Sequence, residues 1–403
     1  MSDFTWTRQL ESAAGMRVAL FSGNYNYTRD GANNALNKLV AHLLAQGANA
    51  RVFSPTGRIP AFEPAGQLVS VPSIAIPGRP EFRVALGLPA SIKQQVREFQ
   101  PNIVHLSAPD FLGTAAQRFA RELNVPVVAS LHTRFETYFE YYRLRLLRDW
   151  AWRRQCRFYG ASDFVLAPNA PSRTHLRQMG VRPGRIGIWG RGVEASIFNP
   201  KRRDFAWRGG LGYRDEEPVI LFFGRLVREK GIDSFIRTVG ELRARGYRVR
   251  PMVVGSGPAE REMKARLGDA VFLGHLEGEA LGRAVASADI LLNPSLTEAF
   301  GNVILEAMSA GLAVVSADVG SAQALIDNGR SGMLCPPEPD HYADAIEHLI
   351  EHPSLQSALR RAAAAGAAAH RWPSILDEVV SAYRALLPSI AATDRFIPVR
   401  TAA

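Results

Sequence analysis

Residues 293–311 read Asn293-Pro-Ser-Leu-Thr-Glu-Ala-Phe-Gly-Asn-Val-Ile-Leu-Glu-Ala-Met-Ser-Ala-Gly311. The pattern predicts the end of a strand, a glycine turn and then a helix over about 301–311. Glu298 falls in the turn and Glu306 about one turn inside the helix, with seven residues between them. Glu306 shares a helix face with Asn302 and Ser309. Between the two carboxylates lie the backbone N–H groups of a helix N-terminus, which suit a phosphate. A carboxylate on either side is placed to accept hydrogen bonds from sugar hydroxyls, one from a hexose and one from a ribose. Taken alone, such a pair reads as a turn carboxylate and an exposed helix residue. The neighbours Ile304, Leu305, Ala307 and Met308 weigh against that, because they make the helix apolar nearly all round. A carboxylate in such a helix is costly to desolvate unless it is paired or ligand-bound.

Outward from this junction, short β-branched runs alternate with helical patterns in both directions, which is the pattern of βαβ units. Strands are predicted at Arg17–Phe21, Arg51–Phe53, Asn102–Leu106, Pro126–Ser130, Phe164–Ala167 and Arg185–Trp189, with a helix over 31–46. A charged, glycine-rich stretch at 199–217 precedes a new strand at Pro218–Phe223, and the domain boundary is placed there. A second series follows, with strands near 251–254, 270–273, 289–292 and 312–316 and helices near 229–246, 258–267, 301–311 and 340–351. The expected fold is α/β, with two Rossmann-like doubly wound domains facing across a cleft. The first covers 1–198 and the second 199–373, with helix 374–388 packing back on the first and 389–403 a loose tail. Residues 1–15 lack a signal-peptide core, and Met16 is an alternative start.

The 403 residues carry 47% hydrophobic and 21% charged side chains, a globular composition. Cys156 and Cys335 are too few for a disulfide framework or a cysteine-based zinc site, so a reducing compartment fits. The longest uncharged run, Pro64–Gly78, is interrupted by proline and glycine and is too short to span a membrane. The net charge of +10 is uneven: residues 1–200 hold 24 Lys and Arg against 13 Asp and Glu, and residues 201–403 hold 24 against 25. Such a field in the first half favours an anionic partner: a nucleic acid, an anionic membrane or a phosphorylated ligand.

The 293–311 stretch resembles the signature of family 4 of the retaining GT-B glycosyltransferases, two glutamates separated by seven residues in a Pro-Ser…Glu-Ala-Phe-Gly…Leu-Glu-Ala-Met context. Further similar features follow the family's order: Arg29-Asp-Gly-Ala-Asn33, Ser130-Leu-His-Thr133, Phe223-Gly-Arg-Leu-Val-Arg-Glu-Lys-Gly231, Val253-Val-Gly-Ser-Gly-Pro258 and Phe272-Leu-Gly-His-Leu276. The resemblance covers roughly residues 16–388. It implies that Arg225 and Lys230 grip the donor's diphosphate, where two cations stabilise charge on the leaving group. Glu306 would hold the ribose and Glu298 the transferred hexose. The segment Ala299, Phe300, Gly301 and Asn302 would touch phosphate or sugar, and Gly255, His275 and Leu276 the base. His132, at the carboxyl end of a first-domain strand, is similar to the histidine that hydrogen-bonds the donor sugar. Gly31 would let the first-domain loop approach the phosphate closely. The segment Ile188-Trp-Gly-Arg-Gly-Val-Glu194 resembles a narrower branch containing sulfoquinovosyldiacylglycerol synthases and bacterial lipid α-mannosyltransferases, with Glu194 in place of the usual Asp. There Arg191 would meet an anionic donor group or phosphate.

Residues Arg134–Tyr159 hold seven arginines, three acids and nine aromatics. Basic charge interleaved with amphipathic rings suits an anionic lipid surface, and Arg143, Arg145 and Arg148 are the membrane-contact candidates. The same composition also fits a core-packed helix whose arginines reach into solvent. The sequence contains no Asp-x-Asp motif, so charge neutralisation is assigned to Arg225, Lys230 and the helix dipole, with no metal and no cofactor required.

The function these features imply is transfer of a hexose, with retention, from a UDP- or GDP-linked sugar to a hydroxyl acceptor. The partners expected are the nucleotide sugar and a lipid acceptor, at the cytoplasmic face of a membrane. A transferase with a soluble or polysaccharide acceptor shares every donor motif. A nicotinamide oxidoreductase is disfavoured because the first strand is not followed by Gly-x-Gly-x-x-Gly. A nucleic-acid binder is disfavoured by the acidic-neutral second half and the lack of a binding module. Oligomeric state has no signal in the sequence.

Overall fold

The structure, a computed structural model, describes residues 13–26, 31–57, 59–76, 79–132, 145–297 and 300–387. These form two units. The first comprises the chain up to Ala167, His175–Trp189 and the chain from Leu376 onward; the second comprises Pro168–Thr174 and Gly190–Ile375.

In the first unit, β1 (Arg17–Phe21), α1 (Gly31–Ala45), β2 (Asn49–Ser54) and β3 (Gln67–Ser70) are followed by an antiparallel hairpin, β4 (Ile74–Ile76) and β5 (Arg79–Val84). Then come α2 (Ala90–Phe99), β6 (Ile103–Leu106), α3 (Phe111–Glu122), β7 (Val127–Ser130), α4 (Arg145–Gly160) and β8 (Phe164–Ala167). Helix α5 (Ala170–Gln178) leads to β9 (Ile186–Ile188). The sheet is parallel, in the order β3-β2-β1-β6-β7-β8-β9. Its strands are near-continuous apolar runs because helices cover both faces: Val18 through Phe21, Ile103 through Leu106 and Val127 through Ser130 are all buried.

In the second unit, α6 (Phe205–Gly210), β10 (Val219–Phe223), α7 (Ile232–Ala244), β11 (Arg250–Val254), α8 (Glu260–Arg266), β12 (Val271–Phe272) and α9 (Gly278–Ala286) come first. After them come β13 (Ile290–Asn293), α10 (Asn302–Ser309), β14 (Ala313–Ala317), α11 (Gly320–Gln323) and β15 (Met333–Cys335), then α12 (Pro339–Glu351), α13 (Pro353–Ala367) and α14 (Trp372–Leu386). This sheet is also parallel, ordered β12-β11-β10-β13-β14-β15. Alternate residues feed opposite cores. Ile220, Phe222, Val253, Ile290 and Leu292 pack into one, and Val219, Leu221, Met252, Val254 and Leu291 into the other.

Both sheets reverse strand order once, between β1 and β6 in the first and between β10 and β13 in the second. In open α/β sheets the ligand crevice lies outside the strands' carboxyl ends at such a reversal. The loop carrying Arg225 and Lys230 leaves β10, and the loop carrying Glu298 leaves β13, so the reversal sits between them.

Apart from Pro168–Thr174, the chain enters the second unit at Gly190, ahead of the 199–217 stretch read as a boundary. That stretch folds onto the second unit. Asp204 caps α6 through Trp207 N–H at 2.8 Å, and Arg203 and Arg208 both reach Asp289. Helix α14 begins in the second unit and passes into the first at Leu376, where Asp377 accepts from Gln46 Nε2 at 2.8 Å and pairs with His42 at 2.8 Å. The run Pro64–Gly78, given no element from its composition, contains β3 and β4.

Candidate active site

Three glycine turns at the carboxyl ends of β10, β11 and β12 are laced side by side through their backbones. Gly224 N–H donates to Val254 C=O at 3.0 Å, Leu226 N–H to Ser256 C=O at 2.9 Å and Gly255 N–H to Gly274 C=O at 2.7 Å. The lacing requires glycine. Gly255 has φ +133°, and a Cβ there would overlap the Gly224 carbonyl oxygen; one on Gly257 would overlap that of Leu226. The outcome is a rigid shelf from which Arg225 projects, exposed, with His275 exposed and Leu276 half-buried alongside. His275 Nε2 pairs with Glu277 at 2.9 Å.

A Gly255→Ala substitution is therefore expected to destabilise the second unit, by about 1–3 kcal/mol for the backbone conformation alone. It is also expected to weaken nucleotide binding at least about tenfold by displacing Arg225. Thermal unfolding with UDP and GDP titrations checks both, and parental values in the two together would contradict the lacing.

Lys230 is brought to the neighbouring loop by the residue after it. Gly231 has φ +76°, and a Cβ there would stand 2.7 Å from the Pro294 carbonyl oxygen. Thr297 Oγ1 donates to Glu229 C=O at 3.4 Å. The Lys230 turn thus lies against the loop leaving β13, across the strand reversal.

That loop leads into α10, whose N-cap is Gly301 at φ +92° with no side-chain cap. The first N–H groups of a helix have no intrahelical acceptor, so this terminus retains donors and the positive end of the dipole. Asn302 opens the helix with its Oδ1 buried and unpaired among the described residues. Glu306 is half-buried, between the buried Leu305 and Ala307. Val303 lies 3.9 Å from where a Gly224 Cβ would stand, which sets α10's first turn beside the Arg225 shelf. Phe300 is buried, and Glu298 and Ala299 lie outside the described residues.

Arg191 is buried, 4% exposed. Its turn is held by α14's start, since a Cβ on Gly192 would stand 2.6 Å from the Trp372 ring and Val193 N–H donates to His370 C=O at 2.9 Å. A Cβ on Gly190 would lie 3.7 Å from Phe300, so the Arg191 turn adjoins the entry to α10. The second unit thus gathers Arg191, Arg225, Lys230, Gly255, His275, Leu276, Phe300, Gly301, Asn302 and Glu306 around one end of its sheet.

Two predicted residues belong to the first unit. Gly31 opens α1. His132 follows β7 at its carboxyl end, half-buried, with its ring edge-to-face against Trp189 at 5.2 Å between centroids. Arg143 lies outside the described residues; Arg145 and Arg148 fall in α4, but their side chains are not described. Further along α4, Ala151, Gln155, Phe158 and Tyr159 are buried, while Trp150, Arg153 and Arg157 are exposed. The helix therefore packs on the core by one face and presents aromatic and basic groups on another. Sequence reasoning gave no role to Gly257 or Gly231, although both sit in the quoted motifs and both are forced by close backbone approach.

Two family profiles match the chain: Glycosyltransferase Family 4 over residues 29–196 and Glycosyl transferases group 1 over residues 217–352. A GDP-mannose-dependent alpha-mannosyltransferase of Mycobacterium tuberculosis is 31% identical, over 92% of this chain and 97% of its own. The sulfoquinovosyl transferase SQD2 of Arabidopsis thaliana is 28% identical, over 80% of this chain and 64% of its own. Among solved structures, sucrose-phosphate synthase from Thermosynechococcus elongatus superposes with a TM-score of 0.75 at 18% identity, covering 92% of this chain and 99% of that one. Two tandem parallel sheets, a glycine-laced cationic shelf beside a helix N-terminus, and a mannosyltransferase relative 31% identical along nearly its whole length lead to one conclusion: the chain belongs to glycosyltransferase family 4 and has the GT-B fold.

Proposed function

We propose that the protein transfers mannose from GDP-mannose to a hydroxyl of a membrane lipid, with retention and without a metal. The observation that carries this is the convergence of Arg225, Lys230 and the uncapped N-terminus of α10 at the strand reversal of the second unit. Charge grows on the diphosphate as the glycosidic bond breaks, and donors already aimed at that place stabilise the transition state without reorganising. These cations and the helix terminus supply the neutralisation assigned elsewhere to a metal. Glu306 holds the ribose, Glu298 the hexose, and the loop from Phe300 to Asn302 the phosphate or sugar. His132 and Gly31 serve from the first unit, His132 by hydrogen-bonding the donor sugar. The departing diphosphate takes the acceptor's proton as the acceptor attacks from the same face.

The choice of GDP-mannose rests on relatives that bear that name along nearly their whole length. Its sugar is α-linked, so an α-mannoside product requires retention. The lipid acceptor is supported by the surface of α3 and α4. Phe111 and Trp150 are 52% and 56% exposed, and the Arg154 guanidinium lies 5.1 Å and 5.6 Å from their ring centroids. Exposed rings beside arginine are suited to the headgroup level of an anionic bilayer, which supports the reading of a peripheral protein at the cytoplasmic face. No helix among the described residues is long and apolar enough to cross a membrane.

Product analysis tests the acceptor and the stereochemistry. Incubation with GDP-mannose, total lipid extract and EDTA is expected to yield an organic-extractable α-mannoside. A product confined to the aqueous phase would move the acceptor to the soluble class, and a β-mannoside would overturn retention.

A further inference from the structure

The register of the first sheet puts four residues on one face. His105 in β6 stands opposite Val128 in β7, Ser130 opposite Leu166 in β8, and Leu166 opposite Gly187 in β9. Side chains alternate faces along a strand, so His105, Ser130, His132 and Trp189 share a face, and Tyr383 of α14 comes down on it. His105 is fully buried. Its Nδ1 lies 2.5 Å from Tyr383 Oη and its Nε2 lies 2.5 Å from Ser130 Oγ. Burial drives its protonation far below the ordinary histidine range, to about 3, so the ring stays neutral, with one nitrogen donating and the other accepting.

Trp189 is 1% exposed and stands edge-to-face to two histidines at once: His105 at 5.7 Å and 86°, and His132 at 5.2 Å and 71°. His105 is pinned at both nitrogens, and His132 follows at the strand end. We propose that Trp189 is a positioning residue for His132: the Tyr383–His105–Ser130 chain fixes the indole, and the indole fixes the plane of the His132 imidazole. A histidine that must present one nitrogen to a sugar hydroxyl gains from having a single ring orientation, because a misplaced group loses rate steeply. This rests on the reading of His132 as a donor-sugar contact.

A double-mutant cycle tests it, with GDP released from GDP-mannose in the presence of total lipid extract as the rate. Trp189→Leu is expected to lower kcat about tenfold to a hundredfold while leaving GDP affinity, which belongs to the second unit, within about twofold. Trp189→Phe, which keeps an edge-to-face ring, is expected to stay within about threefold of the parent. In the His132→Ala background, Trp189→Leu is expected to cost nothing further. An equal loss in both backgrounds would overturn the proposal, as would a parental rate in Trp189→Leu with His132→Ala impaired. A parental rate in His132→Ala would instead overturn the role of His132 and the proposal with it. Histidine-selective 15N NMR of the protein without substrate supplies a reading that does not depend on turnover or on recovery of the leucine variant. Ser130→Ala, which cuts the chain at a small side chain, is expected to shift the ring resonances of both His105 and His132. A shift confined to His105 would overturn the coupling.

Discussion

Lys230→Ala is expected to lower the rate of GDP release from GDP-mannose by about a hundredfold to a thousandfold, the range for removing one preorganised donor from a developing anion. The loss should fall mainly on kcat, because the diphosphate carries more charge in the transition state than in the bound donor. Glu306→Ala is expected to act differently. A ribose contact is the same in ground and transition state, so its loss should appear chiefly as a raised KM. Neither change should alter the melting temperature by more than a degree or two, since Lys230 stands in a short turn and Glu306 is only half-buried. Steady-state kinetics with a thermal scan separate the two. Near-parental kcat/KM in either variant would contradict the assignment of that residue.

The second large effect concerns stability and lies at the opposite end of the same sheet. Asp289 precedes β13 and accepts from Arg203 Nη2 at 2.5 Å, Arg208 Nη1 at 2.8 Å and the backbone N–H of Val219 at 2.9 Å. Arg208 is fully buried and also donates to the carbonyls of Ser287, Arg214 and Glu217. Removing the carboxylate leaves two guanidinium groups without their counter-charge, one of them entirely out of water. Asp289→Ala is therefore expected to cost about 3–5 kcal/mol, a fall in melting temperature of roughly 6–20 °C for a unit of this size. Below that temperature GDP affinity should be parental, because the network sits at the amino ends of the strands and the proposed nucleotide site at the carboxyl ends. Urea unfolding of the parent and Asp289→Ala checks this, and a loss below about 1 kcal/mol would show that the pairs behave as surface ion pairs.

Asp289 also shows where sequence reading ends. The 199–217 stretch reads as a domain boundary because it is charged and glycine-rich, yet its Arg203 and Arg208 are internal ties to Asp289, more than seventy positions away. Their partner has no local signal. Strands such as Val219–Phe223 were legible because β-branched and aromatic runs bounded by turns have few alternatives. Glu306 stands out in the sequence because a carboxylate in an apolar helix is out of place, and the structure sets it half-buried in α10, whereas Glu298 lies outside the described residues. The short strands Gln67–Ser70 and Met333–Cys335 were not seen, being three or four residues among turn formers. His105 sits in the apolar run Ile103–Leu106, a visible oddity, but that it meets Tyr383 and Ser130 depends on register and on a helix nearly three hundred residues away. Trp189 reads in the sequence as a strand-end residue near Arg191, and its ring contacts with His105 and His132 emerge from the folded sheet.

In the proposed mechanism one cationic shelf beside one helix terminus binds and activates a nucleoside-diphosphate sugar. The measurement that tests it most directly is nucleoside diphosphate release from a panel of GDP- and UDP-sugars in EDTA, with and without total lipid extract, for the parent and Lys230→Ala. Release from GDP-mannose that requires lipid, persists in EDTA and falls about a hundredfold or more in Lys230→Ala is the predicted result. Release that appears only with added divalent metal, or that is indifferent to Lys230, would contradict it.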